Sequence, residues 1–146
     1  MKIEYVTAAA LFVVVGGVGC SPEPDPVGPH LGLKSSGVAQ LTVDGADAGR
    51  IEAVQCTPAA HTTSIVIGAE PPVAAATISN SDGLKVKWVR LRDAHGFTGS
   101  YNEGLGGEAH VDLTGSTYQI SGIAGGFDMR NPSQSTTAKF AIEVTC

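Results

Sequence analysis

AKFAIEVTC, Ala138–Cys146, ends the chain. Phe140, Ile142, Val144 and Cys146 fall on one parity, and Lys139, Glu143 and Thr145 on the other. Successive side chains of a strand point to opposite faces, so this alternation gives one buried face and one wet face. It also turns the last cysteine inward. In VQC, Val54–Cys56, valine and cysteine again share a parity. Two sulfurs can therefore meet inside one sheet structure.

Short runs of the same kind fill the preceding hundred or so residues. Val38–Asp44 and Arg50–Cys56 flank DGADAG, which reads as a hairpin connection. Thr62–Gly68, Val73–Ser79, Leu84–Arg92, Phe97–Tyr101, Glu108–Leu113 and Tyr118–Ala124 follow, separated by Pro-Pro, NSDG and glycine-rich turns. With Ala138–Cys146 these make nine strands. Glycine is abundant, aromatics are few, and no helical period or internal repeat is present. Valine, isoleucine and threonine at this spacing predict an all-β chain, a single antiparallel domain that is sandwich-like or a partly open barrel.

LKVKWVRLR, Leu84–Arg92, breaks the alternation. Val86 and Trp88 share one parity, Val89 and Leu91 the other. One bulge at Trp88–Val89 shifts the phase. Lys85, Lys87, Arg90 and Arg92 then all face outward. The expected result is a basic stripe on a chain whose net charge is −5. Such a stripe shields a sheet edge or contacts anionic lipid headgroups or an acidic partner.

The front of the chain differs. Ala8–Gly19 is an apolar run of 12 residues behind Lys2. A membrane-spanning helix needs about 20 apolar residues, and Gly16, Gly17 and Gly19 disfavour a core helix. A cleaved signal peptide over residues 1–19 fits better. Val18-Gly19-Cys20 resembles the end of a bacterial lipobox, with Gly17 where leucine is usual. That resemblance implies a diacylglycerol thioether on Cys20, which becomes the first mature residue; ordinary secretion is the alternative. From Cys20 to Gly37 the chain is proline-rich and reads as a semi-rigid tether. At about 3.1 Å per residue it can hold a domain a few tens of Å off a membrane. The β domain is expected over residues 38–146.

With Cys20 acylated, Cys56 and Cys146 are left as a pair in an exported protein, where oxidation is the expected state. No CxxC or Cys/His spacing suggests a metal. An acidic chain disfavours nucleic acid as a partner. HExxH, GxSxG and GxxxxGK[ST] are absent from the sequence, and the GLGG at Gly104–Gly107 reads as a flexible turn. His30, His61, His95 and His110 are scattered, although Asp93 and Asp112 lie near two of them. Asp128, in GGFDMRNP, reads as a turn former. Neither a catalytic residue nor a cofactor is assigned.

YQISGIAGGFDMRNP (Tyr118–Pro132), KFAIEVTC (Lys139–Cys146) and VQCTPAAHTTSIVIG (Val54–Gly68) together resemble the mycobacterial 19-kilodalton lipoprotein antigen family. The resemblance covers most of Leu41–Cys146. It implies a cell-envelope lipoprotein of an actinobacterium, anchored on the outer face of the cell membrane through Cys20 and bridged between Cys56 and Cys146. It also implies a surface antigen whose acylated amino terminus engages host innate immune receptors, without enzymatic activity. The alternative is a module that binds an envelope lipid or glycolipid. Family tethers are often threonine-rich and O-mannosylated; here Ser21, Ser35 and Ser36 are the only tether hydroxyls.

Overall fold

The computed structural model describes residues 37–146. The leader 1–19, Cys20, His30 and all of the tether but Gly37 lie outside the described residues.

Ten strands are present among the described residues: β1 Val38–Val43, β2 Ala46–Ile51, β3 Val54–Ala59, β4 Thr62–Ile67, β5 Ala74–Ser79, β6 Lys85–Ala94, β7 Phe97–Asn102, β8 Ala109–Thr114, β9 Thr117–Asp128 and β10 Ser135–Thr145. They form one antiparallel sheet in the order β2-β1-β10-β9-β7-β6-β5-β4-β3, with β8 also paired to β9. The sheet curls until it is nearly closed into a barrel. The expected all-β fold is thus the barrel rather than two separate sheets.

The terminal strand organises the sheet. β10 runs against β1 from Val43↔Phe140 to Val38↔Thr145 and against β9 from Ser135↔Phe127 to Thr145↔Thr117. Its inward set of Ala138, Phe140, Ile142 and Val144 is buried, as the alternation requires. These meet Leu41, Ile65, Ile67, Ile78, Val89, Leu91 and Ile120, all essentially inaccessible to water. Each such side chain contributes about 1.5–3 kcal/mol on burial, before the entropy of ordering the chain is subtracted. They fill the barrel interior.

β9 is longer than the sequence suggests, because it serves two partners along one edge. Residues 117–122 pair with β8 and Phe97–Ser100 of β7 pair with Gly125–Asp128. Glycines make the second pairing. A methyl group on Gly126 would collide with the Thr98 carbonyl and the Gly99 backbone, whereas one on Gly125 would meet nothing.

Two expectations are corrected. DGADAG is not a connecting loop. The turn is Asp44-Gly45 alone, with φ of 49° and 78°, the doubly positive backbone of a two-residue hairpin. Ala46–Ile51 is then a strand in its own right and the Cys56 strand begins at Val54. β2 is an edge strand whose polar sequence hides its pairing with β1. The bulge in β6 also falls one residue earlier than expected. Thr77 pairs with Trp88 and Ile78 with Val86, leaving Lys87 as the extra residue. Trp88 thereby joins the outward set and is half-buried. An inward indole would bring its N–H into a core whose one buried polar residue among the described residues is Ser79, and a buried indole N–H needs an acceptor.

Candidate functional site

The disulfide is the first constellation the fold builds. Cys56 lies on β3, the last strand of the sheet order, and is buried. Cys146 follows β10, its backbone N–H donating to the Ser116 carbonyl at 2.9 Å. Their Cα atoms are 5.9 Å apart and the sulfurs are bonded. The bridge spans a sequence separation of 90. A closed loop of that length is worth about 4.5 kcal/mol in the chain-entropy account. It ties the free edge of the curled sheet to the strand that organises the other side.

The second constellation is the outward face of β6 with its neighbours. Lys85, Lys87, Arg90 and Arg92 are all exposed, while Val86, Val89, Leu91 and Ala94 are buried. Registers place Thr77 and Asn102 opposite Trp88, and Ala75 and Ser100 opposite Arg90. Farther along the same face lie Ser64 and Val66 of β4 and Gln55 and Thr57 of β3. Among the outward residues of β6 the one carboxylate is Asp93, exposed beside Arg92, and Glu103 lies at the other end of the set. Glu103, beyond β7, forms an ion pair with Lys87, whose ammonium lowers the Glu103 pKa. Asp93 occupies a second irregularity of β6, its backbone N–H donating to Thr98 Oγ1 at 2.9 Å.

Between β6, β7 and β9 this face sinks into a shallow groove of about 290 Å³ lined by Arg90, Arg92, Thr98, Ser100, Gly126 and Phe127. Gly99 and Gly126, paired across β7 and β9, belong to the same lining. Among the described residues, ion pairs engage Arg50 with Glu52, Lys87 with Glu103 and Arg130 with Asp128. Lys85, Arg90, Arg92 and Lys139 have no such partner, and three of these four lie on β6. The stripe was legible in the sequence. Trp88 and Phe127 as parts of the same face were not, because the position of the bulge and the β7–β9 pairing are tertiary facts.

The third constellation is a polar cleft of about 640 Å³ at one end of the barrel. Turns from three hairpins converge there and present Asp44, His95, Asp128, Arg130, Asn131 and Gln134. The Arg130 guanidinium donates from Nε to Asp128 Oδ1 at 2.9 Å and from Nη2 to Oδ2 at 2.7 Å. The Arg130 backbone N–H adds a third bond, at 2.8 Å. These hold the Asp128 carboxyl down to about 2 and raise the Arg130 pKa. Asp128 therefore has the turn-forming role read from the sequence. A carboxylate so committed is poorly matched to general-base work near neutral pH. His61 sits in the β3–β4 turn, His95 in the cleft and His110 on β8. Among the described residues no group of three or more His, Cys, Asp or Glu side chains is placed to hold a metal.

Residues 33–146 match the family model described as Mycobacterium 19 kDa lipoprotein antigen. A putative lipoprotein of Mycobacterium indicus pranii is 35% identical over 147 residues, covering 100% of both chains. Lipoprotein LpqH of Mycobacterium tuberculosis H37Rv is 34% identical, over 99% of this chain and 97% of its own length. Lipoprotein LpqH of Mycobacterium avium is 38% identical over 108 residues, 73% of this chain and 67% of its own.

Proposed function

The chain belongs to the mycobacterial 19 kDa lipoprotein antigen family, and from that membership we propose that it is an envelope lipoprotein displayed on the outer face of the cell membrane, anchored by acyl chains on Cys20. The observation that carries this reading is the extent of the likeness. The alignment with a relative named as a lipoprotein covers the whole chain, leader and Cys20 included. Two or three acyl chains on one residue anchor stably, at about 0.8 kcal/mol per buried CH2, where a single chain would not.

In this reading the β domain works by display and contact rather than by turnover. The lipidated amino terminus is the element offered to host innate immune receptors. The disulfide-tied barrel is the body that the tether holds away from the membrane. A buried lipid cargo is not part of the reading, because Leu41, Ile65, Leu91, Ile120 and Ile142 fill the interior where it would sit.

The test is the fate of a Cys20→Ala protein expressed in a mycobacterial host. It is expected in the culture medium, without acyl mass, while the unaltered protein partitions with membranes and detergent. Retention of the variant in the membrane fraction would overturn the anchor.

A further inference from the structure

We propose that the outward face of β6 and β7 is a binding site for anionic polysaccharide, with Arg90 and Arg92 gripping acidic substituents and Trp88 and Phe127 supplying apolar platforms beside them. The site lies wholly in the described β domain and does not depend on how Cys20 is modified.

Charge selects the ligand's sign. The chain carries a net charge of −5, yet three of the four cations without a carboxylate partner among the described residues lie on this one strand. Arg90 and Arg92 are two residues apart on one face, about 7 Å along the strand. A guanidinium presents a planar fork that binds a carboxylate, sulfate or phosphate through two parallel hydrogen bonds. Two forks at that spacing suit a chain with repeated acidic groups better than one small ion.

The neighbours select the rest of the ligand. Sugars offer hydroxyls and an apolar C–H face. Ser100 stands directly across from Arg90, and Asn102 and Thr77 stand on either side of Trp88. Thr98 and Phe127 face each other across the β7–β9 pairing. So hydroxyls and amides border both guanidinium groups, with an aromatic ring toward each end. The face here is a shallow groove with Gly99 and Gly126 in its lining rather than a flat plate. An anionic membrane would need a broad, flat basic surface with apolar side chains to insert. The large exposed apolar residues, Leu105, Leu113 and Met129, are instead spread over the β7–β8 loop, β8 and the β9–β10 loop.

Trp88 is the chain's one tryptophan, so its fluorescence reports this face directly. The full-length protein in non-ionic detergent is titrated with heparin as the anionic polysaccharide. Dextran serves as an uncharged polysaccharide, tripolyphosphate as charge without sugar, and micelles doped with phosphatidylglycerol as a lipid surface. Heparin is expected to shift the emission, with an affinity that falls as salt rises. Binding should be about tenfold or more tighter than to tripolyphosphate or dextran. Arg90→Gln with Arg92→Gln is expected to weaken heparin binding about tenfold. Ser100→Asp, which sets a carboxylate opposite Arg90, is expected to do the same, each variant being checked for an unchanged melting temperature. Trp88→Ala, followed by calorimetry, is expected to weaken binding while every charge remains. Lys139→Gln, which removes the one unpaired cation elsewhere among the described residues, is expected to leave binding within about twofold. The proposal is overturned if Lys139→Gln costs as much as the arginine pair, if tripolyphosphate binds as well as heparin, or if the doped micelles shift Trp88 and heparin does not.

Discussion

The two outer faces of the barrel are built alike and charged differently. On the side of β3 to β7, the outward residues are Gln55, Thr57, Ser64, Val66, Ala75, Thr77, Thr98, Ser100, Asn102, Trp88 and the four cations of β6, with Asp93 beside Arg92 as the one carboxylate among them. On the side of β2, β1, β10, β9 and β8, carboxylates and cations interleave. Asp47, Asp112 and Glu143 alternate there with Arg50 and Lys139. Local hydrogen bonds knit that side together. Gln40 Nε2 donates to Asp47 Oδ1 at 2.6 Å, and Gln119 Nε2 to Glu143 Oε2 at 3.4 Å. Among the described residues the interleaved face leaves one cation, Lys139, without a carboxylate partner, and the β6 face leaves three.

The largest effect should come from cutting the tie between the two sides. Cys56 belongs to the edge of the basic side and Cys146 to the end of β10. Cys56→Ala with Cys146→Ala is expected to lower unfolding free energy by about 2–5 kcal/mol. Denaturant titration reads the loss as a lower midpoint. An unchanged midpoint would mean that the sheet closes without its covalent tie.

Next comes the seam where β9 passes from β8 to β7. Gly126→Val puts side-chain atoms into the Thr98 and Gly99 backbone. It is expected to cost about 1–3 kcal/mol and to disturb the groove on the basic side. Gly125→Ala, whose methyl meets nothing, should stay within about 0.5 kcal/mol. Equal losses at the two glycines would show that close approach is not what keeps this stretch free of side chains.

A smaller effect tests the charge difference itself. Arg90 and Arg92 repel each other, so Arg92→Gln should raise stability by about 0.2–0.5 kcal/mol at low salt and by nothing at high salt. Lys139→Gln, on the interleaved side, should show no gain at either. A matching gain at Lys139 would erase the distinction between the faces.

The sequence shows one face far more clearly than the other. Alternation in β10 exposes its pattern to simple parity, and the four cations of β6 announce themselves. β2 stays hidden because an edge strand needs no apolar alternation; ADAGRI is a strand by virtue of its pairing with β1. Trp88 is misplaced because a bulge can fall on either side of it, and only the register with Thr77 decides. Phe127 reaches the groove through β9's change of partner, a long-range pairing with no local signature. The cleft around Asp128 is hidden for the same reason: its walls come from three turns distant in sequence.

The arginines supply the finest test, since the same residue type meets two fates. Arg130 is neutralised by Asp128 at the cleft, whereas among the described residues Arg90 and Arg92 form no ion pair. The Asp128 carboxyl falls from its ordinary 3.8 to about 2, chiefly through the Arg130 side chain and then its backbone N–H. A carboxyl depressed in the folded state adds stability that is present above the unfolded value. That stability is lost as pH falls through the folded one, so its window here lies between about pH 4 and pH 2. Carboxyl NMR should find Asp128 titrating near 2, and in Arg130→Gln it should move back toward 3.8, with part of the depression kept by the backbone donor at residue 130. Arg90→Gln should leave that titration untouched. If Arg90→Gln moves it as far as Arg130→Gln does, the depression reflects the field of the whole barrel rather than one pair, and the two arginine environments are not separate.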